Sequence, residues 1–199
     1  RIGATADRPV LVVSENSPIH AAWMFGGIAA GVPVCSVSVN YSTLGATDGE
    51  AGFERLRHVV DLIRPGVIFA EQGAAFAEAI RAVAPPDAVV VSGAPGEIGP
   101  DVVDLAEVLA RPDVEGVGRR VAGLDPTAPA RYLLTSGSTG RPKAVIHTQA
   151  MMTGNTVSGA QAMGDVFAWG GVMLDWLPWS HIAGSSLLTN VTHMGGTLH

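Results

Sequence analysis

Short apolar runs alternate along this chain with segments whose apolar residues recur at three- and four-residue spacing. Pro9–Val13, Val32–Val39, Val67–Ala70, Ala88–Val91 and Ala130–Leu134 read as strands. Ser17–Ala30, Gly49–Ile63, Ala74–Val83 and Val103–Ala110, lying between them, read as helices. In Gly49–Ile63 the residues Phe53, Leu56, Val59, Val60 and Ile63 share one helical face, and Pro65-Gly66 ends it. Strands separated by helices need crossover connections, so the expected fold is α/β: alternating βα units on a largely parallel sheet. The stretch Arg111–Pro129 is rich in Gly, Pro and Asp, lacks a period, and reads as a long surface connection. Beyond it a helix is expected over His147–Ala160, a strand over Val172–Leu177, a helix over His181–Met194 and a terminal strand fragment. This divides the chain into an α/β part over 1–129 and a second over 130–199.

Composition narrows the classes of partner. Hydrophobic residues make up 47% and charged residues 15% of the 199, enough for a sizeable core and too apolar for a disordered tail. The net charge is −6 and no Lys/Arg run occurs, which argues against nucleic-acid binding. No apolar run reaches membrane-spanning length; the longest candidate, Ala21–Val39, is broken by Gly26, Gly27, Gly31 and Pro33. A signal peptide is not apparent. Cys35 is the sole cysteine, so neither an internal disulfide nor a Cys-cluster zinc site can form, and a reducing, cytoplasmic setting fits. The chain starts at Arg1 and ends inside an apolar run, and is expected to be a piece of a longer polypeptide. Oligomeric state leaves no mark in the sequence.

The sharpest local signal is Tyr132-Leu-Leu-Thr-Ser-Gly-Ser-Thr-Gly-Arg-Pro-Lys143, an apolar strand entering a glycine- and hydroxyl-rich loop. Gly137 and Gly140 allow sharp turns that bring N–H groups close to an oxyanion. Thr135, Ser136, Ser138 and Thr139 add hydroxyl donors, and Lys143 a mobile point charge. Lys143 is also the only lysine among 12 basic residues. These residue types suit a polyphosphate, although neither the Walker A nor the G-x-G-x-x-G spacing is present. A plain Ser/Gly linker is the competing reading. The strand before it and the lone lysine weigh against that.

Thr135–Lys143 resembles the signature loop of the adenylate-forming superfamily, T-S-G-[ST]-T-G-x-P-K-G, departing only at Ala144. A second element, Leu177-Pro-Trp-Ser-His181-Ile-Ala-Gly184, is similar to that superfamily's L-P-x-x-H-x-x-G. Asp175–His181, Leu56–Gly66 and Lys143–Ile146 look most like the feruloyl-CoA synthase branch. The resemblance implies part of the large N-terminal domain of an adenylate-forming enzyme. It also implies ATP, Mg2+ and coenzyme A as cosubstrates, and a small carboxylic acid, an aryl acid by preference, as substrate.

His181 is expected where a strand gives way to a helix, with Ser180 as N-cap. Strand carboxyl ends and helix N-termini both favour anionic ligands. On residues alone a helix-capping histidine competes with a carboxylate-binding one; the resemblance favours a catalytic position near the acyl carboxylate. His20, His58, His147, His193 and His199 show no metal-site spacing, and no metal ligands are assigned. Of the nearby tryptophans, Trp176 reads as core and Trp179, beside the histidine turn, as a substrate-pocket wall.

The expected activity is AMP-forming ligation of an acid to coenzyme A, feruloyl-CoA synthase-like. A fatty-acid CoA ligase or peptide-synthetase adenylation domain shares the loop. A non-catalytic nucleotide-binding or interaction module stands outside the enzyme class. The superfamily's acidic ATP-Mg motif, ribose aspartate and C-terminal catalytic lysine are not found within 1–199, so this stretch alone is expected to be inactive.

Overall fold

The structure is a computed structural model, and it describes residues 2–43, 53–135, 141–164 and 171–199. Strand β1 (Val10–Val12) leads into helix α1 (Pro18–Ala29), then β2 (Val34–Ser36) and the short α2 (Asn40–Thr43). Next come α3 (Glu54–Ile63), β3 (Val67–Ala70), α4 (Gly73–Val83), β4 (Val89–Ser92) and α5 (Pro95–Ile98). β5 (Val103–Asp104), α6 (Leu105–Leu109) and α7 (Val114–Ala122) lead to β6 (Pro129–Thr135) and β7 (Lys143–Thr148). The chain closes with α8 (Gln149–Met163), β8 (Val172–Met173), α9 (Ile182–His193) and β9 (Thr197–Leu198).

Seven strands form one sheet in the order β5-β4-β3-β1-β2-β6-β7. All neighbours are parallel except β6 and β7. The expected α/β class with a largely parallel sheet is what the chain adopts. β6 pairs with β2, so residues on both sides of 129/130 share this sheet. β8 and β9 make a separate parallel pair.

The central strands are continuous apolar runs because helices cover both faces of the sheet. On one face Leu11, Cys35, Ile68 and the α3 and α4 residues Leu56, Val59, Phe76 and Ile80 form one core. On the other, Val10, Val12, Val34, Phe69 and Met24 of α1 pack with Trp179 and Leu188 of α9. Each fully buried side chain of this kind contributes roughly 1.5–3 kcal/mol. Cys35 of β2 lies in the interior of the sheet, between Leu11 and Tyr132 in register, and burial pushes its thiol pKa up to about 12.

Several expectations are corrected. His147 and Thr148, expected to open a helix, instead end a strand, Lys143–Thr148, and the helix begins only at Gln149. Arg111–Pro129 is not all connection: Asp113 caps α7 through the Gly116 N–H. Val103–Ala110 splits into β5 and α6 because Asp104 caps at that point, accepting from the Ala106 N–H. The strand expected over Val172–Leu177 stops at Met173. Residues 49–52 of the expected Gly49–Ile63 helix lie outside the described residues; Glu54–Ile63 is helical and ends on Arg64 in the left-handed region.

Candidate active site

Because β3, β1, β2 and β6 are mutually parallel, their carboxyl ends lie along one edge of the sheet. Thr135 closes β6 at that edge. The chain turns back there, and Lys143, the first residue of β7, is the antiparallel register partner of Thr135. Both side chains are exposed. A hydroxyl and an ammonium thus flank the mouth of the loop. The expected phosphate-binding residues between them, Ser136, Gly137, Ser138, Thr139 and Gly140, lie outside the described residues. The loop exit is anchored: Pro142 is buried, and its carbonyl accepts from His58 Nε2 of α3 at 2.9 Å.

The Leu177–His181 turn is held at the same edge by the loop between β1 and α1. Asn16 Nδ2 donates to the Leu177 carbonyl at 2.8 Å, and its Oδ1 accepts from the Trp179 N–H at 3.0 Å. That loop is itself fixed. Ser17 caps α1 by accepting from the His20 N–H and donates its hydroxyl hydrogen to Glu71, just beyond β3. His20 is buried; its Nδ1 donates to the Glu15 carbonyl at 3.0 Å, leaving Nε2 to accept from the Ser36 hydroxyl at 2.8 Å. That tautomer needs a neutral ring. Burial, the largest influence, lowers the His20 pKa accordingly.

His181 is itself the N-cap of α9, with an extended backbone, and its side chain makes no capping bond. Ser180, expected as the cap, is buried one residue earlier. The exposed imidazole is therefore not committed to holding the helix. Its backbone is well fixed: the N–H donates to the Pro178 carbonyl at 3.0 Å, and its carbonyl accepts from both the N–H and the hydroxyl of Ser185. Gly184 explains the last position of the motif. A Cβ there would stand 2.6 Å from the Pro178 carbonyl oxygen and 2.7 Å from that of Leu177, so only glycine lets α9 start so close to the turn.

Trp176, expected in the core, is instead on the surface. Trp176 is 79% exposed, beside the exposed Leu174 and Ile182, because its strand ends before it. Trp179 is buried, with its ring edge-on to His20 at 5.3 Å and its indole N–H donated to Asp175 at 3.2 Å. Its indole supports the Leu177–His181 turn from below.

Sequence reasoning passed over Asn16, His20 and Arg131. Arg131 of β6 is buried, and among the described residues its Nε and Nη1 have no hydrogen-bond partner. Nη2 makes only a long 3.4 Å contact with His147 Nδ1. Burial lowers the guanidinium pKa to about 10; burial first, then the Arg131 charge, lowers that of His147. A charged residue inside an apolar strand was the available signal. Among the described residues no group of His, Cys, Asp and Glu is arranged to hold a metal, and no helix is long and apolar enough to cross a membrane.

Comparison with known proteins bears on the fold and the family. No curated protein matches the chain. A Rhodopseudomonas palustris protein assigned as a long-chain-fatty-acid CoA ligase superposes with TM-score 0.74 and 14% identity, over 96% of this chain and 44% of that one. ATP-bound MatB from Rhodopseudomonas palustris superposes with TM-score 0.67 and 18% identity, over 96% of this chain and 34% of that one. The amide bond synthetase McbA from Marinactinospora thermotolerans gives TM-score 0.69 and 22% identity, over 99% of this chain and 35% of that one. The chain thus spans less than half the length of each, and shares their fold. The AMP-binding enzyme family matches all of residues 1–199; the chain belongs to the AMP-binding enzyme family.

Proposed function

We propose that the protein carrying this chain is an AMP-forming acid–thiol ligase that activates a small carboxylic acid with ATP and passes the acyl group to coenzyme A. One observation carries the reading: the Thr135–Lys143 pair and the Leu177–His181 turn stand at the same carboxyl edge of the sheet. Family membership supports it. So do structural neighbours described as ATP-bound, or as a malonyl-CoA ligase with methylmalonyl-CoA and AMP bound.

In this reading a carboxylate oxygen attacks the α-phosphorus of ATP and pyrophosphate leaves with the P–O bond electrons. The coenzyme A thiol then attacks the acyl carbon, the acyl C–O bond to the phosphate breaks to release AMP, and the thiol proton passes to solvent. Thr135 and Lys143, with Ser136, Gly137, Ser138, Thr139 and Gly140, hold the β- and γ-phosphates and offset the charge that grows on pyrophosphate. His181, whose side chain caps nothing, orients the carboxylate. Trp179 fixes the turn that carries it. Magnesium, where bound, neutralises phosphate charge; no residue of this chain is assigned to it.

An aryl acid of the ferulate type is the preferred substrate, supported by the Asp175–His181 and Leu56–Gly66 sequences. The part over 1–129 serves as scaffold and 130–199 as the phosphate-loop part. A reducing cytoplasmic setting is supported by the lone, buried thiol. The 199 residues alone are expected to form no thioester, since positioning of all three substrates supplies much of the acceleration.

The test is ATP–pyrophosphate exchange by the complete protein with ferulate, palmitate, malonate and an amino acid in turn. Exchange driven by one of them supports the ligase, and ferulate leading the panel supports the aryl preference. ATP binding without exchange for any acid would leave a nucleotide-binding module instead.

A further inference from the structure

We infer that Asn16 is a positioning residue for carboxylate activation: its side chain grips the Leu177–Trp179 turn and so sets where His181 stands. This rests on the carboxylate role proposed above for His181. The contact is long-range, joining the first βα loop to a turn more than 160 positions later.

Asparagine suits the task because one short side chain offers both a donor and an acceptor. Its Nδ2 meets the Leu177 carbonyl and its Oδ1 the Trp179 N–H, so the amide can be placed in only one orientation without losing both bonds. Aspartate has the same shape but would set a second acceptor against the Leu177 carbonyl. The grip starts from rigid ground. The flanking Ser17 caps α1 and bonds Glu71, and β1 behind it is fully buried. From the turn the constraint passes to His181 through Pro178, whose carbonyl receives the His181 N–H. Trp179 buries its own indole against His20, which fixes the depth of the turn. The two Asn16 bonds fix its position along the sheet edge.

Asn16 itself is exposed, so it adds nothing to the core, and variants there should fold. What should suffer is alignment. A displacement of about an ångström at a reacting group costs roughly 100-fold in rate.

The experiment compares Asn16→Ala and Asn16→Asp with wild type in the complete protein, by carboxylate-dependent ATP–pyrophosphate exchange. The acid is whichever of ferulate, palmitate, malonate or the amino acid wild type uses. Both variants are expected to lose roughly 10- to 100-fold in kcat/KM for the acid, with KM for ATP unchanged. Hydrogen exchange at the Trp179 amide is expected to accelerate in Asn16→Ala, independently of any activity. Three results overturn the inference. The first is an unchanged acid kcat/KM in either variant, with wild type active. The second is an equal loss for acid and ATP, which marks a general structural role. The third is an unaltered Trp179 amide. Absence of exchange in wild type is a different outcome: it removes the ligase reading, and the assignment of Asn16 with it.

Discussion

Thr135 and Lys143 face each other across the β6–β7 hairpin, the last residue of one strand against the first of the next. Antiparallel register partners have Cα atoms about 4.5–5.5 Å apart. The hydroxyl and the chain's only lysine ammonium therefore stand side by side at the sheet edge, each on the end of a hydrogen-bonded strand. Charge delivered from such a base needs little reorganisation when a polyphosphate arrives.

Lys143→Ala should lower carboxylate-dependent ATP–pyrophosphate exchange in the complete protein. Loss of one charge-assisted bond corresponds to about 1–3 kcal/mol. Because Lys143 is exposed, thermal stability should stay the same. Normal exchange in this variant would remove the phosphate role.

For His181→Ala the expected defect is in use of the acid, with nucleotide affinity preserved. The imidazole makes no capping bond, so α9 should remain intact. Adenylate formation against ATP affinity, measured on the same preparation, decides this. A loss confined to melting temperature would return His181 to a helix-end role.

Gly184→Ala tests the close approach of α9 to the Leu177–Pro178 carbonyls. Overpacking of this kind costs about 1–3 kcal/mol, and here it should also displace His181. Urea denaturation and acid-dependent exchange should both report the change. Unaltered stability would mean that the turn yields easily.

Arg131→Met should leave the protein as stable or more stable, because it replaces a buried and poorly paired charge by an apolar side chain. The guanidinium is buried with two of its nitrogens unpartnered among the described residues. A clear loss of stability in urea would show that the charge is compensated.

Stability should fall as pH drops below about 6.5, in part through His20. Burial lowers its folded pKa beneath the ordinary value of 6.5. Between the two values the unfolded chain binds more protons, so stability rises with pH and is lost as pH falls. Burial lowers the His147 pKa in the same direction, so the His20 share is read as the difference between His20→Gln and wild type. His20→Gln should flatten the slope in urea titrations at pH 7.5 and 5.5. An identical slope would assign the effect elsewhere.

Much of the sheet could be read from its residues. Val67–Ala70 is four consecutive buried apolar residues, and both faces of the parallel sheet are covered, so an unbroken apolar run marks a central strand. Ser17 before Pro18 marks the start of α1 for the same local reason. β7 escaped because Lys-Ala-Val-Ile-His-Thr has no period that separates an edge strand from a helix; only pairing with β6 decides. Trp176 lies on the surface against expectation because alternation predicts burial only while a strand continues, and this one ends at Met173. Asn16 was silent for a different reason. Its partners are main-chain atoms of the Leu177–Trp179 turn, and backbone groups look alike in any sequence.

Cys35 gives the molecule a built-in stopwatch. A fully enclosed thiol with its pKa pushed up to about 12 offers almost no thiolate to an alkylating reagent in the folded chain. Because its side chain is enclosed on the face of the sheet that α3 and α4 cover, exposing it requires that packing to open. Maleimide coupling at neutral pH then proceeds at the rate or population of that opening. One mass-spectrometric time course would rank every variant above by how firmly this core stays closed, with no added probe.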